Sequence, residues 1–201
     1  MSMTTGDTAR TRDQDAIAFA QLEIERMWPR LWQLACMVDH VAEPGDHFEY
    51  RCGPYSSLII RGEDGVLRAF QNACRHRGNS LCVGSGSGLR ELKCGYHGWT
   101  WDLAGTLKRV PNRKRFGSLR LSNFPLAPAR VDTWEGLVFV NLDINAIPLI
   151  EYLDSTPDDI AWCHLSDFRC YATLTVEIEA NRTSGCSPGS SVACVSPASP
   201  T

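Results

Sequence analysis

Hydrophobic positions recur at helical spacing near the start of the chain and at shorter spacing after residue 47. From about residue 13 to 37, apolar side chains such as Ile17, Leu22 and Leu31 repeat every three or four positions, with Pro29 placed to kink or divide the segment. This pattern predicts a helix. From Phe48 onward the apolar runs are short and separated by glycine-containing turns, which is typical of β-strands.

Three stretches carry the clearest strand signals. The run 58–60 and the run 66–70 flank Gly-Glu-Asp-Gly at 62–65, which predicts a hairpin. A second predicted hairpin joins 99–102 to 106–110 through Leu-Ala-Gly, and "WEGLVFVNLD" (134–143) predicts a further strand. Residues 44–143 are therefore expected to form a compact, mainly β domain.

Composition limits the classes of protein. The 201 residues carry a formal charge of −3 and 43% hydrophobic residues, which is ordinary for a globular protein and favours neither a nucleic-acid nor a membrane partner. No apolar run approaches the roughly 20 residues that span a bilayer, and the start lacks the pattern of a signal peptide. We expect a cytoplasmic protein. Nine cysteines, an odd count, are many for a reducing compartment and suggest metal binding rather than a disulfide framework.

The stretch "CRHRGNSLCVGSGSGLRELKCGYHGW" (74–99) concentrates the candidate chemistry. Cys74 and His76 form one pair, Cys94 and His97 form another, and 17 residues lie between His76 and Cys94. Four such ligands suit a single tetrahedral Zn²⁺. They equally suit a [2Fe–2S] cluster in which the short thiolates hold an inner iron and the longer imidazoles reach an outer iron near the surface. Nearby glycines would let the backbone turn around either group and point N–H donors toward it.

The remaining histidines and cysteines show no ligand pattern. We expect surface or core positions for the histidines and inert, small apolar roles for the thiols. These residues are His40, His47 and His164, and Cys36, Cys52, Cys82, Cys163 and Cys170.

The spacing Cys-x-His, 17 residues, Cys-x-x-His is similar to the Rieske iron–sulfur motif. Respiratory Rieske proteins carry two further cysteines that staple the cluster loops, and a serine that donates to a sulfide. Asn79, Tyr96 and Trp99 stand at those places here. The resemblance therefore implies a cluster without the staple, with fewer donors and a lower potential.

"CGYHGWTWDLAGTL" instead resembles the large (α) subunits of Rieske non-haem iron oxygenases, and the resemblance covers roughly residues 16–181. It implies a mainly β fold: a Rieske [2Fe–2S] domain of antiparallel sheets (44–143) after an N-terminal helical segment (1–43), followed by an incomplete α+β start of a catalytic domain (144–181). The cofactor implied is a Rieske-type [2Fe–2S] cluster on Cys74, His76, Cys94 and His97. The implied partners are a ferredoxin or flavin reductase as electron donor, within an assembly that is usually trimeric, with or without a small β subunit.

The resemblance stops after Asn181. The Ser-, Pro- and Gly-rich residues 182–201 show no helix or strand period and are expected to be a disordered or frameshifted tail. No residue can be assigned to the mononuclear Fe(II) site of the family, so we expect this chain alone to lack hydroxylase activity. A stand-alone Rieske-type ferredoxin is the alternative. Apolar residues at the catalytic-domain start are expected to be partly exposed, namely Leu149, Ile150, Leu174, Val176 and Ile178.

A basic run follows the second predicted hairpin. It comprises Lys108, Arg109, Arg113, Lys114 and Arg115. A solvated surface is the simplest interpretation, and a docking patch for an acidic ferredoxin is the functional alternative.

Overall fold

The computed structural model describes residues 17–175 and 191–197, and its N-terminal helical segment is shorter than predicted. Helical residues 17–22 continue into a π-helical turn, Glu23–Met27, and a 3₁₀ turn, Trp28–Arg30. At Leu31 the backbone is already extended. The prediction of helix for 33–37 is wrong, because Gln33–Met37 forms strand β1 and pairs antiparallel with the strand Leu137–Asn141. Pro29, which cannot donate a backbone hydrogen bond, stands where the helix ends.

A seven-stranded antiparallel sheet forms the main body of the protein. The predicted hairpin is confirmed, with Leu58 opposite Phe70 and the turn at residues 62–65. The predicted strand within 134–143 is also confirmed. Besides β1, the members of this sheet are β2 (His47–Cys52), β3 (Tyr55–Arg61), β4 (Leu67–Gln71), β5 (Ser85–Gly86), β9 (Pro128–Trp134) and β10 (Leu137–Asn141). The strand order is β1-β10-β9-β4-β3-β2-β5.

A small three-stranded sheet carries the second half of the candidate site. It contains β6 (Leu92–Lys93), β7 (Thr100–Trp101) and β8 (Leu107–Arg109) in that order. The second predicted hairpin is confirmed, because β7 pairs with β8. Its turn is held by Asp102, whose Oδ1 accepts from the backbone N–H groups of Ala104 and Thr106. One buried cluster packs β3 and β4 of the large sheet against this small sheet, so the fold is mainly β, as predicted.

The chain continues through short helices into a two-stranded ribbon. Helix α1 is Leu149–Leu153, α2 is Thr156–Asp159, and 3₁₀ turns follow at Ala161–Cys163 and Leu165–Asp167. Strand β11 (Phe168–Thr175) then pairs antiparallel with β12 (Ser191–Pro197). The expectation of no strand in the last 20 residues is therefore wrong for Ser191–Pro197. No helix among the described residues is long and apolar enough to cross a membrane.

Helix α1 is anchored by a small core of its own. Leu149 is only 2% exposed and packs with Trp32 and Phe139, so the prediction that it is exposed is wrong. Ile150 is 57% exposed, which confirms the prediction for that residue. The side chains of Leu174, Val176 and Ile178 lie outside the described part. The segment after β10 is thus packed onto the main sheet through one face of α1.

We expect Leu149→Ala to lower the free energy of unfolding by about 2–5 kcal/mol, because it leaves a cavity between Trp32 and Phe139. Ile150→Ala is the matched control on the same helix and should change stability by less than about 0.5 kcal/mol. Urea unfolding of the two variants measures the difference. Equal effects would mean that α1 is not packed as described.

Candidate metal centre

Two loops with the same backbone closure present the four predicted ligands. In the first loop (residues 74–79), the N–H of Cys74 donates to the carbonyl of Asn79 at 2.8 Å, and the N–H of Gly78 donates to the carbonyl of Cys74 at 2.8 Å. The second loop (residues 94–99) repeats both bonds at equivalent positions, from Cys94 to Trp99 at 2.8 Å and from Gly98 to Cys94 at 3.0 Å.

Glycine at the fifth position of each loop has a conformational reason. Gly78 and Gly98 have φ of 73° and 68°, a left-handed conformation that other residues rarely adopt. Any side chain here would strain the turn that closes the loop. The histidine, by contrast, is the third residue of the first loop and the fourth of the second, so the imidazoles leave two equivalent loops at different points.

The two thiols lie together in the buried interior of the site. Cys74 and Cys94 are both buried and their side chains are hydrogen-bonded to each other. Backbone N–H groups of His76 and Arg77 donate to the Cys74 sulfur, and those of Tyr96 and His97 donate to the Cys94 sulfur. Each sulfur therefore sits in a nest of amide donors, a setting that stabilises a thiolate or a metal-bound sulfur.

The environment moves the two thiol pKa values in opposite directions. Burial raises the pKa of Cys74, and the amide donors only partly offset it. Burial also acts to raise the pKa of Cys94, but the hydrogen bonds from the N–H groups of Tyr96 and His97 and from the Cys74 and Asn79 side chains together outweigh it, and the pKa is lowered. Asn79 adds a longer contact across the loops, from its Nδ2 to the Cys94 sulfur at 3.9 Å. At the position where respiratory proteins place a stapling cysteine, this chain thus has a polar link between the loops.

The two imidazoles lie on the solvent side of the thiols. His76 is half-buried and His97 is exposed, and their ring centroids are 4.7 Å apart. His76 stacks on Trp99 with centroids 5.1 Å apart and planes 3° from parallel, and Phe116 contacts its edge. Burial, His97 and Arg77 lower the pKa of His76, which favours the neutral imidazole that binds metals. The sequence-based expectation of inner sulfurs and outer imidazoles matches this arrangement.

The side chain of Asn72, which no sequence pattern singled out, holds together the two ends of the segment that contains the first loop. Asn72 is 3% exposed, and its Oδ1 accepts from the N–H groups of Leu81 and Cys82 at 3.0 and 3.1 Å. Its Nδ2 donates to the Cys82 carbonyl at 2.7 Å and to Glu49 at 3.0 Å. One side chain therefore ties residue 72 to residues 81 and 82, so the chain between them, with Cys74 and His76, forms a closed loop.

Glu49 supports this clamp from strand β2. Its carboxylate is almost fully shielded and accepts from Ser56 at 2.7 Å, from the N–H of Gly84 at 2.9 Å and from Arg51. Burial alone would raise the pKa of Glu49, but these donors lower it, so the carboxylate stays ionised and able to accept. The lone asparagine and glutamate carry no motif, and only their position reveals their role.

The other candidate residues are placed away from the two loops. His40 belongs to the 3₁₀ turn Val38–Val41, and its Nε2 lies 3.5 Å from the Cys170 sulfur. His164 is exposed. Burial raises the pKa of Cys36 to about 12 and that of Cys82 to about 11, so both thiols are protonated, consistent with inert roles. Within residues 17–175, no three His, Cys, Asp or Glu side chains converge as a single metal ion would require.

We expect Asn72→Ala to speed amide hydrogen exchange at Leu81 and Cys82 and to lower the free energy of unfolding by about 1–3 kcal/mol. The reason is that the buried N–H groups of these two residues lose their hydrogen-bond acceptor. Asn145→Ala, which changes an exposed asparagine, is the control and should alter neither quantity. Exchange measured by NMR resolves the individual amides. Unchanged exchange at Leu81 and Cys82 in the first variant would contradict the clamp.

Known proteins share this arrangement of loops and sheets. The family model for the Rieske [2Fe-2S] domain matches residues 31–132. The benzene 1,2-dioxygenase subunit alpha of Pseudomonas putida is 39% identical over 134 residues, 66% of this chain and 30% of that protein. The carnitine monooxygenase oxygenase subunit of Acinetobacter pittii is 32% identical over 161 residues, 79% of this chain and 43% of its own length. The chain thus spans less than half the length of these curated relatives.

Solved structures agree with the sequence comparisons. A quaternary ammonium Rieske monooxygenase superimposes with a TM-score of 0.74 at 31% identity, over 80% of this chain and 45% of that one. Naphthalene 1,2-dioxygenase superimposes with a TM-score of 0.64 at 31% identity, over 79% of this chain and 35% of that one. By sequence and by fold, the chain belongs to the Rieske [2Fe-2S] domain family and resembles the alpha subunits of Rieske oxygenases.

Proposed function

We propose that Cys74, His76, Cys94 and His97 hold a Rieske-type [2Fe–2S] cluster, with the thiolates on an inner iron and the imidazoles on an outer one. The observation that carries this assignment is the division of the site into two buried, amide-cradled thiols and two outward imidazoles. This donor set fits a binuclear cluster. When bound, such a cluster accepts and passes on one electron at a time.

A single zinc ion is the competing occupant. It would need all four side chains around one point, whereas the described residues offer no group of three or more His, Cys, Asp or Glu for one ion. The paired arrangement therefore favours the binuclear cluster. Purified protein should contain two irons and two acid-labile sulfides per chain and give a rhombic electron paramagnetic resonance signal when reduced. Stoichiometric zinc without sulfide would overturn the proposal.

The cysteine and histidine side chains would have different roles in electron transfer. The amide donors around Cys74 and Cys94 would compensate part of the negative charge on the sulfurs, so that a further electron would be added to a less negative site. The neutral imidazoles add no negative charge, so an electron is accepted more readily than with four thiolates. The exposed ring of His97 gives an edge at the surface through which an electron could enter or leave.

We further propose that this is the electron-transfer part of a ring-hydroxylating oxygenase terminal component. It would receive electrons from a ferredoxin or flavin reductase and serve O₂-dependent hydroxylation of an aromatic or related organic substrate at a mononuclear Fe(II). Support comes from relatives named for benzene, biphenyl and carnitine. A trimeric assembly, with or without a small β subunit, is part of the same proposal, as is a cytoplasmic location, where cysteine thiols would stay reduced.

A stand-alone Rieske-type ferredoxin is the second candidate. It would have no use for the segment after β10, yet α1 packs through Leu149 onto Trp32 and Phe139, beside the end of the N-terminal helical segment. The integration of this segment into the fold favours the oxygenase component.

We expect His76→Cys and His97→Cys each to lower the reduction potential, because each adds an anionic ligand. The wild-type value should fall in the lower part of the range of about −150 to +300 mV known for Rieske centres. His164→Cys, at an exposed histidine outside the two loops, is the control and should leave the potential unchanged. Spectroelectrochemical titration measures the reduction potentials of the wild type and of the three variants. A potential unaffected by both ligand changes would refute the assignment of the imidazoles.

The basic run gives a separate prediction about the electron donor. Lys114 and Arg115 lie in the 3₁₀ turn Arg113–Phe116, and Phe116 of this turn contacts the His76 ring, so the turn that carries these cations packs beside one imidazole. Lys108 and Arg109, in contrast, are ion-paired with Asp102 and Glu91. We propose that Lys114 and Arg115 steer an acidic ferredoxin toward the site.

Replacing Lys114 and Arg115 together by Gln should slow reduction by an acidic ferredoxin several-fold at low salt and flatten the salt dependence. The double change of Lys108 and Arg109 to Gln removes the same formal charge and should have a smaller effect, because these residues lie in β8 and not in the turn whose Phe116 contacts the His76 ring. Stopped-flow measurements at several ionic strengths compare the rates at which the ferredoxin reduces the two double variants. Equal rates in both variants would leave the run as a solvated surface.

A further inference from the structure

Trp99 has a buried polar group with no partner in the described part of the chain. Its side chain is 2% exposed, and the indole Nε1 is shielded from solvent without a hydrogen-bond acceptor. The two other buried tryptophans are satisfied: Trp32 Nε1 donates to the Ile147 carbonyl at 2.8 Å, and Trp101 Nε1 donates to the Phe124 carbonyl at 2.9 Å. A buried donor normally has an acceptor, so Trp99 is the exception that needs an explanation.

The surroundings of this indole place it at the candidate metal centre. Its ring lies flat against His76, and it belongs to the same buried cluster as Cys74 and Cys94. Its own carbonyl accepts the N–H bond that closes the second loop. The unpaired N–H is therefore enclosed beside the four predicted ligands, where a bound cluster would bring sulfur acceptors.

We propose that Trp99 Nε1–H donates a hydrogen bond to a sulfur of the bound cluster, a proposal that rests on the cluster assignment above. Reduction adds a negative charge to the cluster, and a hydrogen bond to sulfur is stronger when the acceptor carries more charge. The indole thus stabilises the reduced state and raises the potential. Its stacking on His76 also fixes the orientation of one imidazole, so Trp99 is a positioning and tuning residue.

Trp99→Phe separates these two roles, because it removes the N–H and keeps an aromatic face for His76. We expect a lower reduction potential at unchanged iron and sulfide content. Trp101→Phe is the matched control: it removes a buried indole N–H whose acceptor is the Phe124 carbonyl, so it should reduce stability and leave the potential unchanged.

A second measurement tests the hydrogen bond first in the wild-type protein, and the variants then assign the signal. Wild-type protein with ¹⁵N-labelled indole nitrogens, reduced and studied by pulsed electron paramagnetic resonance, should show a weak ¹⁵N coupling. That coupling should persist in Trp101→Phe and vanish in Trp99→Phe. Absence of iron and sulfide from the wild type would defeat the cluster assignment itself. A normal cluster with no indole coupling, or with the wild-type potential in Trp99→Phe, would overturn only the hydrogen bond.

Discussion

The site depends on a pair of backbone hydrogen bonds that is made twice. In each loop the cysteine N–H binds the carbonyl five residues on, and the glycine N–H binds the cysteine carbonyl. These bonds turn the intervening amides inward, so that they point at the cysteine sulfur. Because the bonds are backbone to backbone, their only strict demand on the sequence is a left-handed residue at positions 78 and 98, which glycine meets.

The rest of the fold holds these two loops against each other. The first loop follows β4, and hydrogen bonds of Asn72 to Cys82 and Glu49 hold the ends of its segment together. The second loop connects β6 to β7 in the small sheet. The common buried cluster that contains Cys74 and Cys94 joins the two sheets, so the thiols meet only if the sheets pack. The site is therefore a product of tertiary structure, although each loop is local.

The features that the sequence predicted well are the local ones. The Cys/His spacing, the turn glycines and the two hairpins each depend on a few neighbouring residues, and the alternation of apolar runs with turns was sufficient to predict them. The failures involve distant partners. Gln33–Met37 has a helix-like apolar spacing, and it becomes a strand because β10, about a hundred residues later, offers an edge to pair with. Leu149 is buried because Trp32 and Phe139 lie beneath it, and Asn72 acquires its role only when the chain returns at Leu81. Periodicity within one segment carries no information about such contacts.

The central claim is that two chemically different irons sit in this site, one on thiolates and one on imidazoles. Mössbauer spectroscopy of ⁵⁷Fe-enriched protein tests it most directly, because it reports the oxidation state and ligand field of each iron separately. We predict two inequivalent irons of equal intensity. In the reduced protein the ferrous character should be localised on the imidazole-bound iron, seen as the component with the larger isomer shift, and not on the thiolate-bound iron. A single iron environment, or a spectrum typical of four-thiolate coordination, would contradict the account.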